Sequence, residues 1–448
     1  MVVAAVGALL LVVGAGRSLV APAPVAAAFH GAGSDHAAVL VRVLTALAAV
    51  IALGQLLAWA FAYLVQPPVI GEVVAGILLG PSLIGVNASH VILPPEAAPF
   101  LEMIAQLGVI LYMFLVGLEL DPRHLRERAH ATVAISHASI LLPFVLGAWL
   151  ALDLYPRLST SDVPFTSFAL FMGVAMSITA FPVLARILTD RGLTRTALGT
   201  VALGCAATDD VTAWCLLAFV VGVARADVGT AAVVVGGALA YVALMLFVAR
   251  PLVGRAIARL TAEDIPRGAT ALVFVGLLLS TLAAEIIGIH AVFGAFLLGA
   301  IIPNDSVVAR TFVRRLEGLV TVFFLPAFFA VTGMRTRIDL VTGLDQWLVC
   351  GLIILVATVG KFGGTLLAAR LTGIGWRDAA ALGTLMNTRG LMELIVLSVG
   401  LDLGVISPTL FAMMVLMALV TTMGTSPVLS LLLADGATSP AERDAIGA

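Results

Sequence analysis

The chain reads as an all-α polytopic membrane protein, and three observations predict that class and its architecture. Of its 448 residues, 61% are hydrophobic and 11% charged, a balance that no soluble domain of this length sustains. The apolar residues fall in stretches of about 20, the length a helix needs to cross a bilayer, each bounded by Arg, Pro or Asp. Three short patterns of the first half recur in the second half in the same order, which predicts an internal repeat.

A first apolar stretch lies at 2–16. Thirteen follow, at 38–65, 69–86, 101–120, 131–152, 164–189, 197–223, 229–249, 268–287, 290–303, 317–333, 346–369, 377–401 and 407–433. In lipid these must be helices, because no water is there to satisfy an open backbone. The first stretch reads either as an extra span or as a signal sequence. Small residues from Ala21 to Ala28 would suit cleavage, but no basic region precedes it. The expected division is an N-terminal segment and external linker at 1–37, a transmembrane domain at 38–433 and a short tail at 434–448. The tail is too short for an attached nucleotide-binding domain.

Arginine sets the expected orientation. One set of alternate loops carries Arg123, Arg126, Arg128, Arg191, Arg195, Arg250, Arg255, Arg259, Arg267, Arg310, Arg314, Arg315, Arg370 and Arg377. The other set carries Arg17, Arg157, Arg225, Arg335 and Arg337. The richer side is predicted to be cytoplasmic, which puts the C-terminus inside. A net charge of −2 without a basic tract argues against a nucleic-acid partner. Cys205, Cys215 and Cys350 have no metal or redox spacing and read as small buried hydrophobes. No cofactor is expected.

The repeat pairs Ala75–Gly80 with Gly294–Gly299, Val116–Asp121 with Thr332–Arg337, and Ser177–Pro182 with Met386–Leu391, at offsets of about 210–220 residues. Each pair is an odd number of spans apart, so the copies have opposite orientation. The first repeat is placed at about 38–223, a linker helix at 229–249 and the second repeat at about 268–433. Inverted repeats with interrupted helices are the architecture of secondary transporters, with the site near the midplane. Pro182 removes a backbone donor and is expected to free carbonyls near Ile178. Asn387, Thr388, Arg389 and Gly390 bring polar and flexible groups to the middle of another span. Broken backbone at depth persists only where it is packed in protein or lines a cavity. A simple proline kink is the structural alternative.

Three charges lie deep in apolar stretches: Asp209 and Asp210, and Lys361, the only lysine of the chain. Each costs roughly 2.5–3.5 kcal/mol even on the lenient insertion scale, and such groups usually touch an ion or proton that crosses. Neighbours on a helix point about 100° apart, so the two aspartates cannot share one environment. Lys361 is the natural partner of one, leaving the other to face water. Asp210, Thr208 and freed carbonyls offer hard oxygen ligands suited to a transported Na⁺, Li⁺ or K⁺. A structural salt bridge between two helices is the competing reading. Arg389 and Glu393, spaced i, i+4, could pair on one helix face. Glu72 follows Pro67-Pro68 at a helix start, where a dipole role competes with a functional one. His290 opens a short span and could tune a pH response, as could His137, though either also reads as a satisfied structural histidine.

Several motifs together resemble the monovalent cation:proton antiporter-2 family, the branch with plant cation/H⁺ exchangers and bacterial Kef-like and NapA-like antiporters. They are Gly71-Glu72-Val73-Val74-Ala75-Gly76-Ile77-Leu78-Leu79-Gly80-Pro81-Ser82, Phe114-Leu115-Val116-Gly117-Leu118-Glu119-Leu120-Asp121 and Ser177-Ile178-Thr179-Ala180-Phe181-Pro182. Asp209-Asp210, Ile289-His290-Ala291-Val292-Phe293-Gly294 and Asn387-Thr388-Arg389-Gly390-Leu391-Met392-Glu393-Leu394 complete the set. The resemblance covers about 38–433. It implies an inverted-repeat antiporter fold of about thirteen spans with two crossed, interrupted helices. It also implies a homodimer in the cell membrane, a dimerisation half and a mobile core half that move by an elevator mechanism. The family's ion-binding aspartate falls on Asp210, its preceding polar position on Asp209 and its bridging lysine on Lys361. The unwound segments fall on Thr179, Ala180 and Pro182 and on Asn387, Thr388 and Arg389. The chain departs from the glutathione-gated Kef pattern, which has Gln before the aspartate and a nucleotide-binding domain. Asp-Asp, where exchangers often have Asn-Asp, favours electrogenic exchange. The leading expectation is exchange of Na⁺ or K⁺ for protons. Proton-driven export of an organic ion or ion-complexing metabolite is the alternative, and a channel or receptor a third. No nucleophile–base pair or metal cluster argues for an enzyme.

Overall fold

The computed structural model describes residues 36–433 apart from 65, 93, 95, 120–128, 194–195, 226–227 and 259–264, together with a few positions before residue 17. Most of the 2–16 stretch, the 17–35 linker, the Asp121–Arg128 loop and the 434–448 tail therefore lie outside the described residues. The described secondary structure is entirely helical. The first half comprises α1 (His36–Tyr63), α2 (Pro68–Leu79), α3 (Pro81–Ile84), α4 (Val86–Ile92), α5 (Ala98–Glu119), α6 (Ala129–Leu158), α7 (Phe165–Ser177), α8 (Phe181–Asp190) and α9 (Ala197–Arg225). Then come α10 (Val228–Leu244), α11 (Arg250–Ala258), α12 (Arg267–Ile287), α13 (Ala291–Ile301), α14 (Val307–Leu319) and α15 (Leu325–Arg335). The last four are α16 (Gly343–Leu371), α17 (Trp376–Met386), α18 (Leu391–Asp402) and α19 (Pro408–Leu433).

Nine helices among the described residues are long and apolar enough to cross a membrane, and they fall on nine of the thirteen expected stretches. The other four stretches hold shorter helices. The 69–86 stretch breaks at Gly80, which is extended (φ −73°, ψ 163°) and precedes Pro81. The 290–303 stretch is the 11-residue α13. The 164–189 and 377–401 stretches are interrupted, as expected. The 317–333 stretch begins ten residues early: Ser306 caps Ala309 N at 3.1 Å, so Arg310, Arg314 and Arg315 ride on helix rather than loop.

Two spans contain π turns, and both have the same cause. Met245–Ala249 precedes Pro251 and Val320–Phe324 precedes Pro326. A proline inside a helix removes one amide donor and crowds the carbonyl four residues back. Widening that turn accommodates the ring without ending the helix.

Packing follows the repeat. α1 packs on α2 as α12 packs on α13; α2 crosses α15 as α13 crosses α5. Glycines of the repeated motifs make both crossings. A Cβ on Gly76 would meet Phe329 O at 2.1 Å and one on Gly333 would meet Gly76 C at 2.0 Å. In the mirrored crossing, Gly117 would meet Phe296 O and Gly299 would meet Phe114 O, both at 2.3 Å. Small residues at these points let backbones touch, which is how helices associate when lipid is as apolar as their side chains. The remaining helices form a second group. α6 packs along α16, α7 on α6 and α17 on α16, with α9 and α19 against them. The charged residues of interest lie in this second group.

Candidate ion site

The site begins with two helix breaks. α7 ends at Ser177; Ile178 (φ −69°, ψ 138°) and Ala180 (φ −89°, ψ 92°) are extended, and α8 starts at Phe181. α17 ends at Met386 and α18 starts at Leu391, across Asn387, Thr388, Arg389 and Gly390. Pro182 does not kink a continuous helix. It occupies the second position of α8, where its missing N–H would have had no intrahelical partner. The two breaks meet: Ala180 N donates to Thr388 O at 3.0 Å, and Thr179 Oγ1 lies 3.2 Å from Met386 O. Thr388 turns its hydroxyl back to Leu385 O at 2.8 Å. Thr422 on α19 holds the second break from outside, accepting from Arg389 N at 2.8 Å and donating to Arg389 O at 2.7 Å.

The carbonyls freed at the end of α7 are not open to a transported ion. Arg389 donates to Ala175 O and Met176 O at 2.8 and 2.7 Å, and Lys361 Nζ donates to Ser177 O. The C-terminal end of a helix carries partial negative charge, and here two buried cations neutralise it. Of the carbonyls expected to be free near Ile178, those of Ala175, Met176 and Ser177 are filled by protein cations.

Asp209 and Asp210 point apart, as helix neighbours about 100° apart do, but both are buried, so the expectation that one of them faces water is corrected. Asp209 is fully buried and accepts four hydrogen bonds. Ser136 reaches Oδ1 at 2.6 Å; Ser139, Thr179 and Lys361 reach Oδ2 at 2.7, 2.9 and 2.9 Å. Lys361, on α16, is itself fully buried. Asp210 is 4% exposed, and its Oδ1 is buried with no hydrogen-bond partner. One carboxylate is thus saturated by four donors. The other keeps a buried oxygen without a protein partner, which a proton, a cation or a water can fill. Thr208, two residues before Asp210 and half-buried, spends its hydroxyl proton on Gly204 O at 2.8 Å and keeps its lone pairs.

Arg389 and Glu393 form a fully buried pair at 2.8 Å. Glu393 Oε1, Arg389 Nε and Asn387 Oδ1 are buried without partners, so the second break also holds unfilled polar atoms. Glu72 and His290 lie apart from this constellation, in two separate cavities. Glu72 lines a cavity of about 220 Å³ with Tyr112, Ala180, Thr321, Leu391 and Met392. His290 lines a second cavity, about 390 Å³, with Glu102, Glu285, Arg335, Ser398 and Asp402. It caps α13, accepting from Val292 N, and has φ 73° in the turn from α12. The two cavities approach within a turn along α18, where Met392 faces one and Ile395 the other.

Ser136 and Ser139 were not anticipated. Their i, i+3 spacing on the 131–152 stretch was the available signal. Arg335 was read as a loop residue at a span end. It joins Glu102 on α5 at 2.8 Å to Asp402 on α18.

Comparisons agree with this geometry. The family model for the transmembrane sodium/hydrogen exchanger matches residues 46–434. The chain is 42% identical to the Na(+)/H(+) antiporter NhaS4 of Synechocystis, over 87% of this chain and 96% of that one. It is 40% identical to cation/H(+) antiporter 20 of Arabidopsis thaliana and 33% identical to K(+)/H(+) antiporter 1 of Saccharomyces cerevisiae. It spans about half the length of those two, 47% and 44%. The fold matches a solved sodium proton antiporter of Methanocaldococcus jannaschii at a TM-score of 0.65 and 16% identity, covering 88% of this chain and 97% of that one. The chain belongs to the sodium/hydrogen exchanger family.

Proposed function

We propose that the chain exchanges a monovalent cation, Na⁺ or K⁺, for protons across a membrane by alternating access, with Asp210 as the carrier carboxylate. The observation that carries the site assignment is the contrast between neighbours: Asp209 accepts four hydrogen bonds while Asp210 keeps a buried oxygen unfilled. A proton or a desolvated cation can fill that oxygen, but not both, and this exclusion couples the two fluxes. Asn387 Oδ1, buried without a protein partner at the second break, is the candidate neutral oxygen. Lys361 with Asp209, and Arg389 with Glu393, keep the crossed breaks electrically neutral around it.

In this reading the arginine-rich end is cytoplasmic, with the C-terminus on that side and the membrane the cell membrane. The cavity of Glu72 then opens inward and that of Glu102 and Arg335 outward. The two repeats run over about 38–223 and 268–433, joined by the 229–249 helix, in a thirteen-span domain. The weakly buried faces of α1, α10 and α12 meet lipid or a second copy in a homodimer.

Proteoliposomes loaded with a pH dye test the assignment. Na⁺ or K⁺ should dissipate an imposed pH gradient in the wild type, and Asp210→Asn should abolish the response. Full activity in that variant refutes the role of Asp210. Proton-driven export of an organic ion is the second reading. It is favoured by one observation: the 390 Å³ cavity is within the range of small-molecule pockets and carries three carboxylates. A resistance phenotype without any cation-dependent pH change would select it.

A further inference from the structure

We infer that Glu72 is a reception site for the transported alkali cation, which meets this carboxylate before it reaches Asp210. The inference rests on the exchange reading above and adds a residue on the opposite helix group. Glu72 sits in α2 as the fifth helical residue counted from Pro68. That is beyond the first turn, so it is too far along to cap its own helix, and α2 has no side-chain cap. It is half-buried, and among the described residues it has neither a hydrogen bond nor an ion pair.

Its surroundings offer it no cationic side chain. The cavity of about 220 Å³ that it lines carries no cationic side chain among its lining residues. Two half-helices start on this cavity, α8 at Phe181 and α18 at Leu391, and neither has a side-chain N-cap. Their partial positive ends make a resident carboxylate tolerable, but each supplies only about half an elementary charge, screened by any water present. The space holds roughly seven waters at about 30 Å³ each. A partly hydrated Na⁺ or K⁺ therefore fits beside Glu72. From there the crossed breaks are adjacent: Ala180, whose N–H donates to Thr388 O across them, lines the same cavity. Clefts carrying one sign of charge raise the local concentration of the opposite ion. Glu72 accordingly sets how much cation half-saturates the carrier from this face. It does not set the maximal rate, which belongs to Asp210.

The test uses the full chain in membrane vesicles of both orientations, with NaCl and KCl as probes. Glu72→Gln should raise the half-saturating cation concentration about tenfold from the face on which Glu72 opens. The opposite face and the rate at saturating cation should stay as in the wild type. Unchanged half-saturation from both faces overturns the inference, and so does a fall in maximal rate at unchanged half-saturation. If Glu72→Gln does not reach the membrane, Glu72→Asp is read in its place. Withdrawing the charge by one methylene should weaken half-saturation about threefold, and no change overturns the inference. The same constants are read from thermal stabilisation of the detergent-solubilised protein by Na⁺ or K⁺, which needs no turnover. A wild type that binds but does not exchange counts against the exchange reading, while the comparison with Glu72→Gln still decides the role of Glu72.

Discussion

At the scale of the residue, the saturation of Asp209 makes an ordering testable. Asp209→Ala leaves a buried ammonium whose remaining acceptor is Ser177 O. Lys361→Met leaves a carboxylate that still accepts from Ser136, Ser139 and Thr179. Breaking a buried pair typically costs about 3–5 kcal/mol because one charge is left uncompensated. Asp209→Ala should fall at the upper end of that range and Lys361→Met at or below the lower end, in thermal melts of the detergent-solubilised protein. The reverse order would mean that the three hydroxyls do not hold the anion. Ser136→Ala should cost about 1–3 kcal/mol on its own and more in the Lys361→Met background, where one donor fewer remains.

At the scale of the element, the two glycine crossings predict a matched pair of failures. Gly333→Val and Gly117→Val place a side chain against backbone that cannot retreat, so each should abolish the monodisperse peak in detergent size-exclusion chromatography. Gly254→Ala and Gly363→Ala meet nothing within 4 Å and should leave it unchanged. The recurrence of Gly80 and Gly117 as Gly299 and Gly333 was legible in the sequence, whereas their place at helix crossings was not. Asp209, Asp210 and Lys361 were legible for a different reason: a charge at depth violates the surrounding composition. The serines were not, since a serine in a span looks like any small packing residue until the carboxylate it serves is in place. Pro182 marked a break without fixing its form, because proline is compatible both with a kink and with the start of a new helix. Arg335 was hidden by its position at a span end, where an arginine normally snorkels to water.

At the scale of the whole molecule, Arg335 ties the two helix groups together on the side of the larger cavity. It sits on α15, bonded to Glu102 of α5 within its own group and to Asp402 at the end of α18 in the other. An exposed pair contributes about 0.2–1 kcal/mol, so Asp402→Asn should widen the cavity's open population by up to about fivefold. A Ser398→Cys label site in that cavity reports it, with the exposed Cys215 replaced by serine. Membrane-impermeant maleimide should react faster in the Asp402→Asn variant, and an unchanged rate would show that Arg335 holds nothing shut. The crossed breaks also bear on how the protein is made. Asp209 meets its lysine 152 residues later, and the end of α7 meets its arginine more than 200 residues later. At about 5–20 residues per second, a ribosome delivers those cations roughly 10–40 s after the groups that need them. During that interval the first half has a carboxylate held only by Ser136, Ser139 and Thr179 and a helix end without its cations, so a chain truncated after α9 should be cleared by membrane proteases while the full chain persists.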